Sequence, residues 1–222
     1  MDTKKFIIGG RKITLYKASS ESSPLVVFNN HLESGDPIVE ALHEINCPDI
    51  NFLCIGNLNW DHDLSPWHCP PVYKDDPPFT GGADEYLDLL LSEILPKAKE
   101  FVNPSLICIA GYSLAGLFAL YALYRCDVFD CAASISGSLW FPKFREYVAK
   151  NSMKKLPDKI YLSLGDREAN TKNPLLKTVQ ENTEFIAEHY KKLNINVSFE
   201  LNRGGHFKDA EIRSAKGITA II

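Results

Sequence analysis

What this chain lacks narrows its class before any motif is read. It has no lysine- or arginine-rich run, and 24 Lys and Arg against 28 Asp and Glu leave a net charge of −4. Nucleic acids and anionic membranes select basic patches, so neither is expected as a partner. No Cys-x-x-Cys pair occurs among the six cysteines at 47, 54, 69, 108, 126 and 131. Cys54 and Cys108 lie inside apolar runs, so the set reads as small reduced core residues of a cytosolic protein. Glycine and proline show no excess, 13 of each in 222 residues, which excludes collagen-like and low-complexity disordered chains. The opening MDTKKFIIGGRK holds three apolar residues before Gly9, too few for a signal-peptide core, so a cytoplasmic location is expected. A chain this long buries roughly 70% of its unfolded surface, enough for a core without metal or disulfide staples.

Long apolar stretches are also scarce, with one exception. From Leu106 to Tyr124 the single clearly polar residue is Ser113, a length that could span a bilayer. Its middle, Gly111-Tyr112-Ser113-Leu114-Ala115-Gly116, suits a sharp turn better than a lipid-facing helix. A buried strand, a turn and a buried helix give the same pattern, so no membrane span is expected.

The rest of the chain alternates. Lys5 to Ile8 and Lys12 to Lys17 flank Gly9-Gly10, a hairpin signal. Apolar runs at Leu25–Phe28, Asn51–Ile55, Leu106–Ala110, Ala132–Ile135, Ile160–Leu164 and Val197–Leu201 read as strands. Helical stretches lie between them at Pro37–Ile45, Ala83–Phe101 with a kink at Pro96, Leu114–Arg125, Phe141–Lys150 and Pro174–Leu193. A last helix runs from Asp209. Leu175, Leu176, Val179, Ile186, Tyr190 and Leu193 form one apolar stripe that should face the sheet. The pattern predicts an α/β fold in one domain, residues 1–222, with a mostly parallel eight-stranded sheet and helices on both faces. One connection, Leu58 to Gly82, is too long for a plain loop. Its prolines and its aromatics Trp60, Trp67, Tyr73 and Phe79 argue for an ordered pocket wall.

Ser113 carries the chemistry. A serine between an apolar strand and an apolar helix, with Gly111 before it and Ala115 and Gly116 after it, fits a nucleophile elbow. Only small neighbours fit so tight a turn, and the helix that begins there aims N–H groups at the reacting oxygen. Ala115 departs from the Gly-x-Ser-x-Gly form. A serine needs a base that is itself oriented, and in this arrangement the chain order is serine, acid, histidine. Two histidines follow Ser113. His189 belongs to the amphipathic helix, whereas His206 stands after the last strand in Asn202-Arg203-Gly204-Gly205-His206-Phe207 and is the expected base. The acid should follow Ile160–Leu164, where Asp166 and Glu168 both qualify. Leu114 N–H is one oxyanion donor, and the second should come from Asn30 or His31.

These residues resemble a family. Gly111–Gly116, Ser136-Gly137-Ser138-Leu139-Trp140 and Gly204-Gly205-His206-Phe207 look like the esterase D and enterobactin-type siderophore esterase branch of the α/β-hydrolase superfamily. The resemblance implies the α/β-hydrolase fold and a Ser-His-acid triad. It favours Glu168 over Asp166, because relatives often place the acid three residues after the glycine ending its strand. Trp60-Asp61-His62-Asp63-Leu64-Ser65-Pro66 resembles an Asp-x-Ser/Thr-Pro element beside their active sites.

Asp61, His62, Asp63, His68 and Cys69 match no metal-ligand spacing, so no metal and no cofactor is expected. Trp60, Trp67, Trp140 and Phe207 are the candidate substrate-binding residues, Trp140 because ligands bind beyond the C-terminal ends of strands in open α/β sheets. The expected function is hydrolysis of a small carboxylic ester through an acyl-enzyme. Acyl transfer on the same fold and a non-catalytic ligand-binding protein are the alternatives. Oligomeric state is not legible.

Overall fold

A computed structural model describes residues 2–222. The chain opens with a hairpin, β1 (Thr3–Ile8) and β2 (Arg11–Tyr16), turned by Gly9 and Gly10 at φ of 52° and 78°. Both angles are positive, as a two-residue hairpin turn of the favoured twist requires. β3 (Leu25–Asn29), α1 (Asp36–Glu44) and β4 (Asn51–Gly56) follow. The long connection holds a single turn of helix, α2 (Trp60–Asp63), and a ribbon of β5 (His68–Cys69) and β6 (Phe79–Thr80). Next come α3 (Ala83–Leu89), a π-helical turn at Leu90–Ile94 and α4 (Leu95–Lys99). β7 (Ile107–Tyr112), α5 (Leu114–Arg125), β8 (Cys131–Ile135), α6 (Phe144–Lys150) and β9 (Lys159–Gly165) form the middle. α7 (Val179–Lys192), β10 (Asn196–Asn202) and α8 (Ala210–Ile221) close it.

The eight long strands make one sheet in the order β1-β2-β4-β3-β7-β8-β9-β10. β1, β2 and β4 pair antiparallel, and every pair from β4 through β3 to β10 is parallel. Alternate residues of each strand feed two cores. Leu25, Val27, Ile109, Ala132 and Leu162 join α3, α5 and α7 on one face. Val26, Phe28, Cys108, Ala133 and Tyr161 join α1 and α8 on the other. The apolar run from Leu106 therefore divides into strand β7 and helix α5, the latter buried along nearly its whole circumference. Among the described residues, no helix is long and apolar enough to cross a membrane.

Three details depart from the sequence reading. The helix through Pro96 is carried by a wider π-helical turn, which leaves Pro96 in the first turn of α4, where its missing N–H costs nothing. The helix expected from Pro174 begins as a 3₁₀ turn at Leu176–Thr178, because the Asn173 side chain accepts the N–H groups of Leu175 and Leu176. Leu175 and Leu193 lie outside the buried stripe, while Thr183 and Ala187 lie within it. The six cysteines are free thiols, four of them buried.

The 58–82 connection is ordered by polar anchors as well as by its aromatics. Asp63, 1% exposed, takes two bonds from Arg11, at 3.1 and 2.6 Å, and one from Asn59 N–H at 3.0 Å. Ser65 Oγ donates to Asp61 C=O at 2.8 Å and accepts from Gly81 N–H at 2.9 Å. The hairpin turn thus holds the loop that brings Trp60 to the C-terminal end of the sheet.

Candidate active site

The site forms where β7 meets α5. Ser113 sits at φ 58° and ψ −122°, a conformation that side chains seldom adopt, and it is held there by Ser113 N–H to Ile135 C=O and Ser138 N–H to Ser113 C=O, both 3.0 Å. The turn closes tightly. A Cβ on Gly111 would collide with the Ala115 backbone, and one on Gly116 would come within 2.9 Å of both Gly111 C=O and Ser134 Oγ. Ala115 is accommodated because Gly111 yields the space that its methyl takes. The close helix–strand contact moves one place on, to Gly116.

His206 arrives on the loop after β10. Gly204, at φ 116°, makes the bend. His206 Nε2 lies 3.0 Å from Ser113 Oγ, and Nδ1 lies 2.7 Å from Glu168 Oε2. With Nδ1–H donating to the carboxylate, Nε2 is left to accept from the hydroxyl. Glu168, its side chain 4% exposed, stands just beyond β9 and receives Gly165 N–H at 2.5 Å and the Ser136 hydroxyl at 2.8 Å on Oε1. Burial pushes its carboxyl up, but the bonds from His206, Gly165 and Ser136 prevail and hold it below the usual carboxylate range.

Asp166 is not beside the imidazole. Its Oδ1 accepts Gly204 N–H at 2.8 Å, so it pins the loop that carries His206. His189 sits half-buried on α7, stacked on Phe185.

Leu114 N–H opens α5 and has no backbone acceptor among the described residues. Asn30 lines the same recess as Ser113, but its backbone N–H is already taken, which corrects the sequence reading of that amide as the second oxyanion donor. Its N–H extends the sheet ladder to Ile55 C=O at 2.8 Å, and its side-chain amide donates to Ser34 C=O at 2.7 Å. His31 lies one residue further round, on the wall of the recess that Ser113 shares.

Two recesses meet at Ser113, His206 and Phe207. One, about 280 Å³, lies between α1 and α8 and includes Trp60. The other, about 300 Å³, is walled by Val72, Trp140, Leu176 and Val179. Phe207 is 91% exposed on the rim, its ring edge-on to His206 at 4.9 Å. Trp67 lines neither recess and corrects the sequence reading. Its indole N–H donates to Pro142 C=O at 3.0 Å, and its ring packs on Phe141 and Tyr147. The polar residues of the loop are likewise spent elsewhere. His62 bonds Thr80 and Asp63 bonds Arg11, and no metal-binding cluster of three or more His, Cys, Asp or Glu occurs among the described residues.

Sequence reasoning missed the support beneath Glu168. Arg213 of α8 is 2% exposed, and its Nη1 reaches Ser136 Oγ at 3.2 Å, Glu168 Oε1 at 3.4 Å and Tyr112 OH at 3.4 Å. Its Nη2 donates to Arg203 C=O at 3.3 Å, and Tyr112 OH in turn donates to His206 C=O. One buried guanidinium therefore touches Glu168 and braces both ends of the histidine loop. An arginine at a stripe position of the last helix, flanked by Ile212 and Ala215, was the available signal.

Fold and site together define an α/β-hydrolase-fold esterase. The siderophore hydrolase EstA from Aspergillus nidulans has this fold, with a TM-score of 0.76 at 19% identity over 98% of this chain and 92% of that one. The enterobactin esterase FES from Shigella flexneri gives a TM-score of 0.70 at 18% identity, covering 99% of this chain and 59% of that one. An uncharacterized protein of Bacillus subtilis, YbbA, is 24% identical over 201 residues, 83% of this chain and 79% of that protein. The family model described as "Putative esterase" matches residues 50–208, and the chain belongs to that family of carboxylic ester hydrolases.

Proposed function

We propose that the chain cleaves a small carboxylic ester through an acyl-enzyme, with Ser113 as nucleophile, His206 as base and Glu168 as the orienting acid. The observation that carries this reading is the unbroken line from Ser113 Oγ through His206, at 3.0 Å and 2.7 Å, to a buried carboxylate. His206 Nε2 takes the hydroxyl proton as Ser113 attacks, and Glu168 stabilises the imidazolium that forms. Leu114 N–H and His31 N–H receive the developing oxyanion, His206 protonates the leaving alkoxide, and water repeats the sequence to free the acid. Asp166 holds the histidine loop. Trp60, Trp140 and Phe207 contact substrate around the serine, and the protein needs no cofactor for these steps.

The test is labelling with a fluorophosphonate. One adduct is expected on Ser113, absent in Ser113→Ala and strongly slowed in His206→Ala. A folded protein whose serine stays inert would overturn the reading in favour of a ligand-binding role.

A further inference from the structure

The two recesses beside Ser113 share a wall but not a character, and the difference bears on which ester enters; the inference rests on the serine-esterase reading above. The α1–α8 recess is walled largely by carbon, from Phe28, Pro37, Ile38, Trp60 and Ala210, and its one carboxylate is Glu211. The second recess carries Asp76 and Glu168. Among the described residues, no lysine or arginine lines either one. The acidity extends past the walls. Burial, then the charge of Asp76, pushes the Asp61 carboxyl up, while His31 pulls it the other way.

An anionic substrate would thus meet Glu211 or Asp76 in recesses that no lysine or arginine lines, and an uncompensated charge is expensive to remove from water. An apolar group gains by the same transfer. The space is limited: 280 Å³ holds roughly nine water-sized groups at about 30 Å³ each. Its walls include two helices packed on each other and on the sheet.

We propose that the α1–α8 recess is the specificity pocket of this enzyme. It takes one half of the ester, a compact, neutral, apolar group of up to about eight heavy atoms, and the site discriminates against anionic esters. The siderophore hydrolases that share this fold are named for their own substrates; here the recess itself selects for a neutral hydrocarbon half.

The experiment measures kcat/KM on two neutral ladders, 4-nitrophenyl alkanoates from acetate to dodecanoate and alkyl acetates from methyl to octyl. In whichever half occupies the recess, kcat/KM should rise up to about fourfold per methylene and stop near six to eight carbons. Ala210→Phe should move that break to shorter chains and Ile38→Ala to longer ones. Opposite shifts separate pocket size from misfolding, which would depress every chain length alike. A 4-nitrophenyl ester with a terminal carboxylate should run at least about tenfold slower than its neutral counterpart of equal length, a gap of about 1.4 kcal/mol. Length-independent rates on both ladders, or an anionic ester cleaved as fast as its neutral match, would overturn the proposal while leaving the serine reading standing. No hydrolysis of any ester, with no fluorophosphonate adduct on Ser113, would instead overturn the reading beneath it.

Discussion

The proposed nucleophile and the proposed acid are fixed in different ways. The Ser113 turn is shaped by its own neighbourhood, since Gly111, Ala115 and Gly116 leave room for φ 58°, and backbone bonds to Ile135 and Ser138 at the end of β8 lock it. Glu168 is held by side chains from distant parts of the chain, Ser136 from the end of β8, Arg213 from α8 and His206 from the loop after β10. The first device is steric and made by backbone, the second electrostatic and made by side chains. Substitutions should therefore fail differently at the two ends.

The largest effect is expected at Ser113. Ser113→Ala should cut kcat by roughly 10⁴-fold or more, read by ester hydrolysis, while the melting temperature hardly moves, because the hydroxyl contributes to chemistry rather than packing. Arg213→Met should come next. It leaves the Glu168 carboxylate buried without its guanidinium, and breaking such a pair costs about 3–5 kcal/mol, checked by urea unfolding. Replacing Glu168 as well should recover part of that loss, and a double-mutant cycle measures how much. A structural arginine unconnected to the acid would show additive losses instead. Gly111→Ala should cost about 1–3 kcal/mol by overpacking against Ala115, and activity should fall with it because the turn must shift. In stability, read by urea unfolding, Ser113→Gly should be the smallest change and opposite in sign, a gain of about 1 kcal/mol as the strained Cβ disappears, while activity is lost as in Ser113→Ala.

The acid end also carries a pH signature that the serine end lacks. The folded state holds the Glu168 carboxyl below its ordinary value of 4.5, so ionised Glu168 favours the folded protein. That contribution is complete above pH 4.5 and is lost as pH falls through the lower folded value. The stability advantage of the wild type over Glu168→Gln should accordingly be constant near neutrality and shrink in acid, as acid titrations of both proteins would show. A gap that widened in acid would mean the carboxyl is not held ionised by its partners.

The same contrast explains what could be read in advance. The eight strands, α5 and the elbow follow from periodicity and from small residues adjacent in sequence, so Ser113 was legible from residues 111–116 alone. His206 was legible by chain order and by Gly204, whose φ of 116° only glycine takes readily. The choice between Asp166 and Glu168 was not legible from the residues themselves, because two loop carboxylates two residues apart differ only in which way each side chain turns, and only the family resemblance favoured Glu168. Asn30 looked like an oxyanion donor because nothing local reveals that β3 and β4 keep pairing through its N–H. Trp67 looked like a pocket residue because composition cannot say which face of a folded loop an indole meets. Arg213 was hidden by its spacing, since a charge on an apolar stripe discloses its purpose only once its partners are in place.

α8 both supplies the guanidinium under Glu168 and walls the α1–α8 recess with Ala210, Glu211 and Ser214. Retuning this enzyme toward new esters is therefore lopsided: α1 and the 31–34 loop are free to drift, whereas changes along α8 risk silencing the proposed proton relay while enlarging the space beside it. Lineages that diversify on this scaffold should accumulate their adaptive differences on the α1 side.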